Sequence, residues 1–290
     1  MKKISISSWA IPQHMPELCA GAKKIGFDGI SLGGFPPYGA NGDLQKSDAE
    51  IAAFRENFIK NGLEVADYAI DLWSYDALLK TAEWRKAYTE ALHYAKKLNL
   101  TDIIRIDTDH VPSLPEGWTY GSVKSFYIKN FKEMAQEAAT YGFKLVWEFE
   151  PGFIMNEPST VVEIAKSVDE DNFSLLFDTC HAYNLSLGLN QIKPEVLEGG
   201  IMEFIEMASG LIGFVHLIDA DGTLNRTNTS EHVPFGKGKI DFDKVIPALM
   251  DVGKFRGNWW AIDLCEWPDA WGVTEQCYEY VKALNEKFCR

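Results

Sequence analysis

Asp178 and His181 close the run Leu175-Leu176-Phe177-Asp178-Thr179-Cys180-His181-Ala182, where three apolar residues lead into an acid and a turn. A short apolar run bounded in this way reads as a strand buried on both faces. An ionisable side chain at the end of such a strand is badly placed for packing and well placed for a site. Three other runs close alike: Glu148 and Glu150 on the fifth strand, His216 and Asp219 on the seventh, Asp263 with Glu266 on the eighth. The earlier strands end in Trp9, Leu32 and Ile70, with Arg105 and Asp107 as exceptions. The acids and imidazoles therefore gather on one half of whatever the strands build. Crowded carboxylates repel unless a cation joins them. Carboxylate and imidazole together suit one divalent ion of the Mn, Mg, Co or Zn kind. The plainer alternative is a set of separate, solvated acids at strand ends.

The elements that must position these residues follow a repeating plan, in which helical patterns stop at Gly or Asn and a β-type run follows. Strands are expected at Ile4 to Trp9, Gly29 to Leu32, Glu64 to Ile70, Asp102 to Ile106, Phe143 to Phe149, Phe173 to Asp178, Ile212 to Leu217 and Asn258 to Leu264. Between them come helices at Pro16 to Lys24, from the Ser47 cap to Asn61, Ala82 to Leu98, Ser122 to Tyr141, Pro158 to Ser167, Ile201 to Ser209 and Asp241 to Val252. Thr274 to Lys287 closes the chain as an amphipathic helix. Loops are read at the Gly/Pro-rich stretch Gly33 to Gly42 and around Pro112, Pro115 and Trp118. Eight alternating units predict an α/β fold, a (β/α)8 barrel forming one domain over residues 1–290. A doubly wound sheet is the rival, but no G-x-G-x-x-G turn follows the first strand.

Composition narrows the classes. The chain has 46% hydrophobic and 24% charged residues and a formal net charge of -14, which argues against a partner held by its phosphates. Five scattered cysteines without a C-x-x-C pair read as reduced thiols in a cytoplasmic protein. The start Met1-Lys2-Lys3 lacks the pattern of an export signal, and no apolar run suits a membrane span. The expected partner is a small molecule, with a homo-oligomer allowed.

Four segments together resemble the xylose-isomerase-like barrels of the sugar phosphate isomerase/epimerase group. Gly142 to Glu148 resembles that family's fifth strand, whose terminal Glu binds metal. Phe177-Asp178-Thr179-Cys180-His181-Ala182 is similar to a D-T-x-H signature in which Asp is a ligand and His touches substrate. Phe214 to Asp219 resembles the seventh-strand motif with its ligand His, and His232 to Asp241 the loop before the seventh helix. The resemblance implies Glu148, Asp178 and His216 as metal ligands, and strand register offers Asp263 as the fourth. It implies His181 as a substrate contact, and Asp219, His232, Glu266 and Trp9 are expected to join it. Glu148 and Asp263 would then move the proton, through an enediolate stabilised by the ion, on a ketose, a sugar phosphate or a related polyol.

The chain also departs from the pattern. Ile154 stands where such epimerases carry a second Glu, and Gly222 where they carry an Arg, the nearest being Arg226. Many members end the eighth strand with Glu. Here alternation puts Ile262 and Leu264 on one face and Asp263 on the other, whereas Glu266 turns inward only if a bulge near Cys265 resets the parity. Trp9, Trp73, Trp118, Trp267 and Trp271 fall near strand ends, where aromatic faces would suit a sugar. Rival readings are a dehydratase of a cyclic polyol, a metal-dependent phosphodiesterase of the endonuclease type, a metal-free glycosidase and a non-catalytic sugar-binding barrel.

Overall fold

The computed structural model describes residues 1–36, 46–108, 113–190 and 192–289. Pro112 and part of the stretch Gly33 to Gly42 lie outside the described residues. Eight parallel strands close into a barrel: β1 (Lys3–Ser7), β2 (Gly29–Gly33), β3 (Glu64–Ala69), β4 (Ile103–Ile106), β5 (Lys144–Glu148), β6 (Phe173–Asp178), β7 (Ile212–Leu217) and β10 (Trp259–Ile262). The ring closes where β10 pairs with both β1 and β7. Helices lie between the strands: α1 (Met15–Ile25), α2 (Asp48–Ile59), α3 (Thr81–Leu98), α4 (Tyr120–Tyr141), α5 (Pro158–Val168), α6 (Thr179–Ser186), α7 (Gly200–Met207), α8 (Phe242–Asp251) and α9 (Ala270–Phe288). The fold is the expected (β/α)8 barrel.

Local chemistry sets the boundaries. Ser47 and Glu50 form a reciprocal capping box at the start of α2, and Gly142 ends α4 in the left-handed conformation (φ 81°) that lacks a penalty only for glycine. Alternation along the strands sorts the core into two layers. Leu145, Trp147, Leu175, Phe177, Val215, Leu217, Trp260 and Ile262 pack outward against the helices. Ala66, Val146, Leu176, Phe214, Trp259 and Ala261 form a separate cluster that fills the barrel interior. The next inward positions toward the strand ends are Glu148, Asp178, His216 and Asp263.

Three expectations are corrected. The first strand stops at Ser7, and Ser8–Ala10 form a 3-10 turn that swings Trp9 toward Asp263. The connection after β6 opens with a helix, α6, capped by Asp178. Between β7 and α8 the chain forms an antiparallel hairpin, β8 (Asp219–Leu224) with β9 (Ser230–Val233), outside the barrel sheet. No helix among the described residues is long and apolar enough to cross a membrane.

Candidate active site

Glu148 ends β5, Asp178 ends β6, His216 lies one residue from the end of β7, and Asp263 follows β10 directly. Register sets Asp178 beside His216, and His216 beside Ala261. All four side chains are buried, and their ligand atoms lie within 4.8 Å of one another. His216 Nδ1 stands 2.9 Å from Glu148 Oε1, 3.6 Å from Asp263 Oδ2 and 3.8 Å from Asp178 Oδ2.

Each carboxylate has one oxygen held by the fold and turns the other inward. Asp178 Oδ1 accepts the amides of Cys180 (2.7 Å) and His181 (2.9 Å) at the start of α6. Asp263 Oδ1 accepts from Ser7 Oγ (2.9 Å), Trp9 Nε1 (2.9 Å) and the Cys265 amide (3.0 Å). Glu148 Oε2 pairs with the Arg105 guanidinium. On the inner side, Asp178 Oδ2 and His216 Nε2 are buried without a hydrogen bond, and Glu148 Oε1 faces His216 Nδ1 at 2.9 Å. Unpaired buried polar atoms are costly, and one ligand atom from each of the four side chains, all within 4.8 Å of one another, makes a donor set for a cation. Three carboxylates and one imidazole fit a borderline divalent ion.

The electrostatics show what the cluster does with protein groups alone. Burial would lower the His216 imidazolium, but Glu148 and Asp263 outweigh it and raise it to about 9. Burial would raise Glu148, yet Arg105 and then His216 hold it well below the usual carboxylate range. Burial pushes Asp178 up to about 6, the charges of Glu148 and Asp263 adding to it against His232 and His216. A proton on His216 thus supplies the positive charge in this arrangement.

A cavity of about 740 Å³ opens over the cluster. Trp9, Phe35, Trp73, Trp267 and Trp271 line it, as do Asp107, Glu150, His181, His232 and Glu266. Arg105 is buried there among three acids, 3.2 Å from Asp107 and 3.9 Å from Glu150 as well as paired to Glu148. That acidic trio therefore already has its cation. Glu150 accepts from Thr229 Oγ1 at 2.6 Å, and burial together with the Glu148 charge pushes it up to about 7. His181 Nε2 lies 3.9 Å from Glu150, and the His181 and His232 rings are 4.9 Å apart. Burial, then His232, drives the His181 imidazolium well below its ordinary value, so it stands neutral.

The structure brings together the four expected ligands, with Trp9, His181, His232 and Glu266 around the pocket above them. Ile262 and Leu264 pack outward, leaving Asp263 in the cluster. Glu266 sits at the rim in a left-handed conformation (φ 58°) and accepts from Asn225 Nδ2 at 2.9 Å. Asp219 is not brought to the pocket wall. Its carboxylate accepts the amides of Ala220, Gly236, Gly238 and Ile240, so it clamps the loop after β9. A side chain at position 238 would meet that carboxylate at 2.2 Å, which is why glycine stands there. Trp118 packs edge-on against Phe126 and does not line the pocket. Sequence reasoning left Arg105 and Asp107 without a role and missed the hairpin residues Asn225, Thr227 and Thr229 that line the cavity. Strand-end position was the available signal for Arg105, and the polar turn residues between 225 and 229 for the hairpin.

This barrel and site define the class. A model of the xylose isomerase-like TIM barrel matches residues 19–274, and the chain belongs to that family. It is 27% identical to the inosose isomerase of Bacillus licheniformis over 135 residues, 45% of this chain and 44% of that one. The chain spans about half the length of the curated relatives it matches. Its fold is similar to the crystal structure of a D-tagatose 3-epimerase-like protein (TM-score 0.71, 22% identity, 98% of this chain and 99% of that one). It is also similar to that of the IolI protein with a bound zinc atom (TM-score 0.72, 18% identity, 99% and 97% covered). At these identities the structural likeness concerns the fold.

Proposed function

We propose that this chain is a divalent-metal-dependent sugar isomerase or epimerase acting on a small polyhydroxy carbonyl compound. One observation carries the reading: three carboxylates and an imidazole, all buried, bring one ligand atom each to within 4.8 Å of one another at the mouth of the barrel. Glu148, Asp178, His216 and Asp263 would hold the ion. When bound, such an ion supplies positive charge to an oxygen on which negative charge develops next to a breaking C–H bond. Glu148 and Asp263 come from opposite sides of the cluster, so one carboxylate takes the proton and the other returns it. Arg105 orients Glu148, while Ser7 and Trp9 orient Asp263. Return of the proton to the opposite face gives epimerisation, and return to the neighbouring carbon gives aldose–ketose interconversion. The aromatic walls would take the apolar face of the substrate and exclude water.

Glu150 supports a second reading within the same family. A carboxyl held near neutrality beside His181 can protonate a departing hydroxyl, which a dehydratase of a cyclic polyol requires. Metal analysis of purified protein should find one divalent ion per chain. C–H exchange from deuterated water should appear in a panel of ketoses and inososes and stop on chelation. Loss of water from the product would select the dehydratase reading, and exchange that persists in the chelated, metal-free protein would sink both.

A further inference from the structure

We infer that this pocket takes an uncharged polyhydroxy carbonyl compound and turns away its phosphorylated or carboxylated counterparts. The inference rests on the isomerase reading above and narrows its substrate class.

The charge of the wall is the first argument. Asp107, Glu148, Glu150, Asp263, Glu266 and Asp269 line the cavity, while Arg105 is the one Lys or Arg lining it among the described residues. Arg105 is buried and already engaged by Asp107, Glu148 and Glu150, so it has no charge to spare for an incoming anion. Residues 37–45 and 109–112 contain no Lys or Arg either. Without Asp107 and Glu150, the five carboxylates Glu148, Asp178, Asp263, Glu266 and Asp269 still outnumber the three positive charges of Arg105 and a divalent ion in the cluster. A cleft lined by one sign of charge focuses its field and repels ligands of that sign.

The second argument concerns backbone amides. Helix starts are ready anion sites, but at two that lie beside the pocket, α6 and α9, the chain's own carboxylates take the amides. Asp178 takes the amides of Cys180 and His181 at the start of α6, and Asp269 takes the Gly272 amide at the start of α9 (3.1 Å). What the pocket does offer suits hydroxyl groups and a ring face. His181 Nδ1 and both His232 nitrogens are buried at the wall without a hydrogen bond. Phe35 and Trp73 stack edge-on at 4.8 Å within an aromatic wall. Two cations next to lining residues are exposed: Lys237, 4.9 Å over the Trp267 ring, and Arg226 in the hairpin turn.

The test uses metal-loaded protein and a panel of ketohexoses and inososes, each paired with its monophosphate. Quenching of the pocket tryptophans reads binding, and C–H exchange in deuterated water reads turnover. Neutral members should bind at least about tenfold tighter than their phosphates, or about 1.4 kcal/mol. Glu266→Gln with Asp269→Asn, which keeps the helix cap, should narrow that ratio, phosphate binding gaining more than neutral binding. Equal or tighter binding of the phosphates, lost in Arg226→Ala or Lys237→Ala, overturns the inference and locates a phosphate seat. Failure of every neutral member to bind overturns it as well. Neutral binding without exchange leaves the charge selection standing and removes the isomerase reading instead.

Discussion

At the scale of single residues, Asp67 shows how much charge the barrel interior carries. It lies on β3, fully buried, where burial pushes its carboxyl up to about 6 against the pull of His216 and the Ser31 hydroxyl. In the unfolded chain the same group titrates near about 3.9. Between those values the native state binds more protons than the unfolded one, so stability falls as pH rises from about 4 to 6 and is level above. Asp67→Asn removes this slope. In chelated protein, urea titrations should find the variant more stable at pH 7 by on the order of 2–3 kcal/mol, with the gain vanishing near pH 4. Asp263 and Glu266 differ in kind. Asp263 is buried with one oxygen held by three donors, whereas Glu266 is exposed and bonded to the hairpin. Asp263→Asn should lower metal affinity and C–H exchange by at least about a hundredfold, an order expected for loss of a buried charged partner. Glu266→Gln should keep the metal and change substrate affinity only. Metal retention in the first and loss in the second would reverse the assignment.

At the scale of elements, α6 joins folding to the site through one side chain. Asp178 caps this eight-residue helix with Oδ1 while Oδ2 faces the cluster. Asp178→Asn keeps an oxygen for the cap and should melt close to the parent when both are metal-free, yet bind metal at least tenfold more weakly. Asp178→Ala loses the cap too and should melt lower by about 1 kcal/mol. Equal melting of the two metal-free variants would remove the cap role. The strands and the four clustered side chains were legible in the sequence because a buried parallel strand is apolar until its last inward residue, as in Leu175 to Asp178. The hairpin was not: Asp219–Leu224 is polar and half-exposed, and its pairing with Ser230–Val233 is fixed by contacts elsewhere. Asp219 sits at a strand end like a ligand, and only the folded loop reveals that Gly236, Gly238 and Ile240 take its oxygens. Arg105 likewise gains its meaning from acids on two strands.

At the scale of the whole molecule, the two chain ends hold the ring closed. Asn285 in α9 accepts the Lys2 amide (3.0 Å) and donates to the Lys2 carbonyl (2.7 Å), just before β1 pairs with β10. Asn285→Ala leaves both groups without a partner and should cost about 1–3 kcal/mol in thermal unfolding while metal affinity stays unchanged. An accompanying loss of metal would mean that the closure sets the geometry of Asp263. The β8–β9 hairpin stands apart from this closed ring. Its base is bolted down by the Asp219 clamp and by the bond from Asn184 Nδ2 to the Thr223 carbonyl (3.0 Å), while its tip brings Asn225, Thr227 and Thr229 to the substrate wall. The hairpin tip and the four clustered side chains therefore lie in separate stretches of sequence. A change of length or residue type between 225 and 229 would redraw one wall of the cavity and leave Glu148, Asp178, His216 and Asp263 where the barrel holds them.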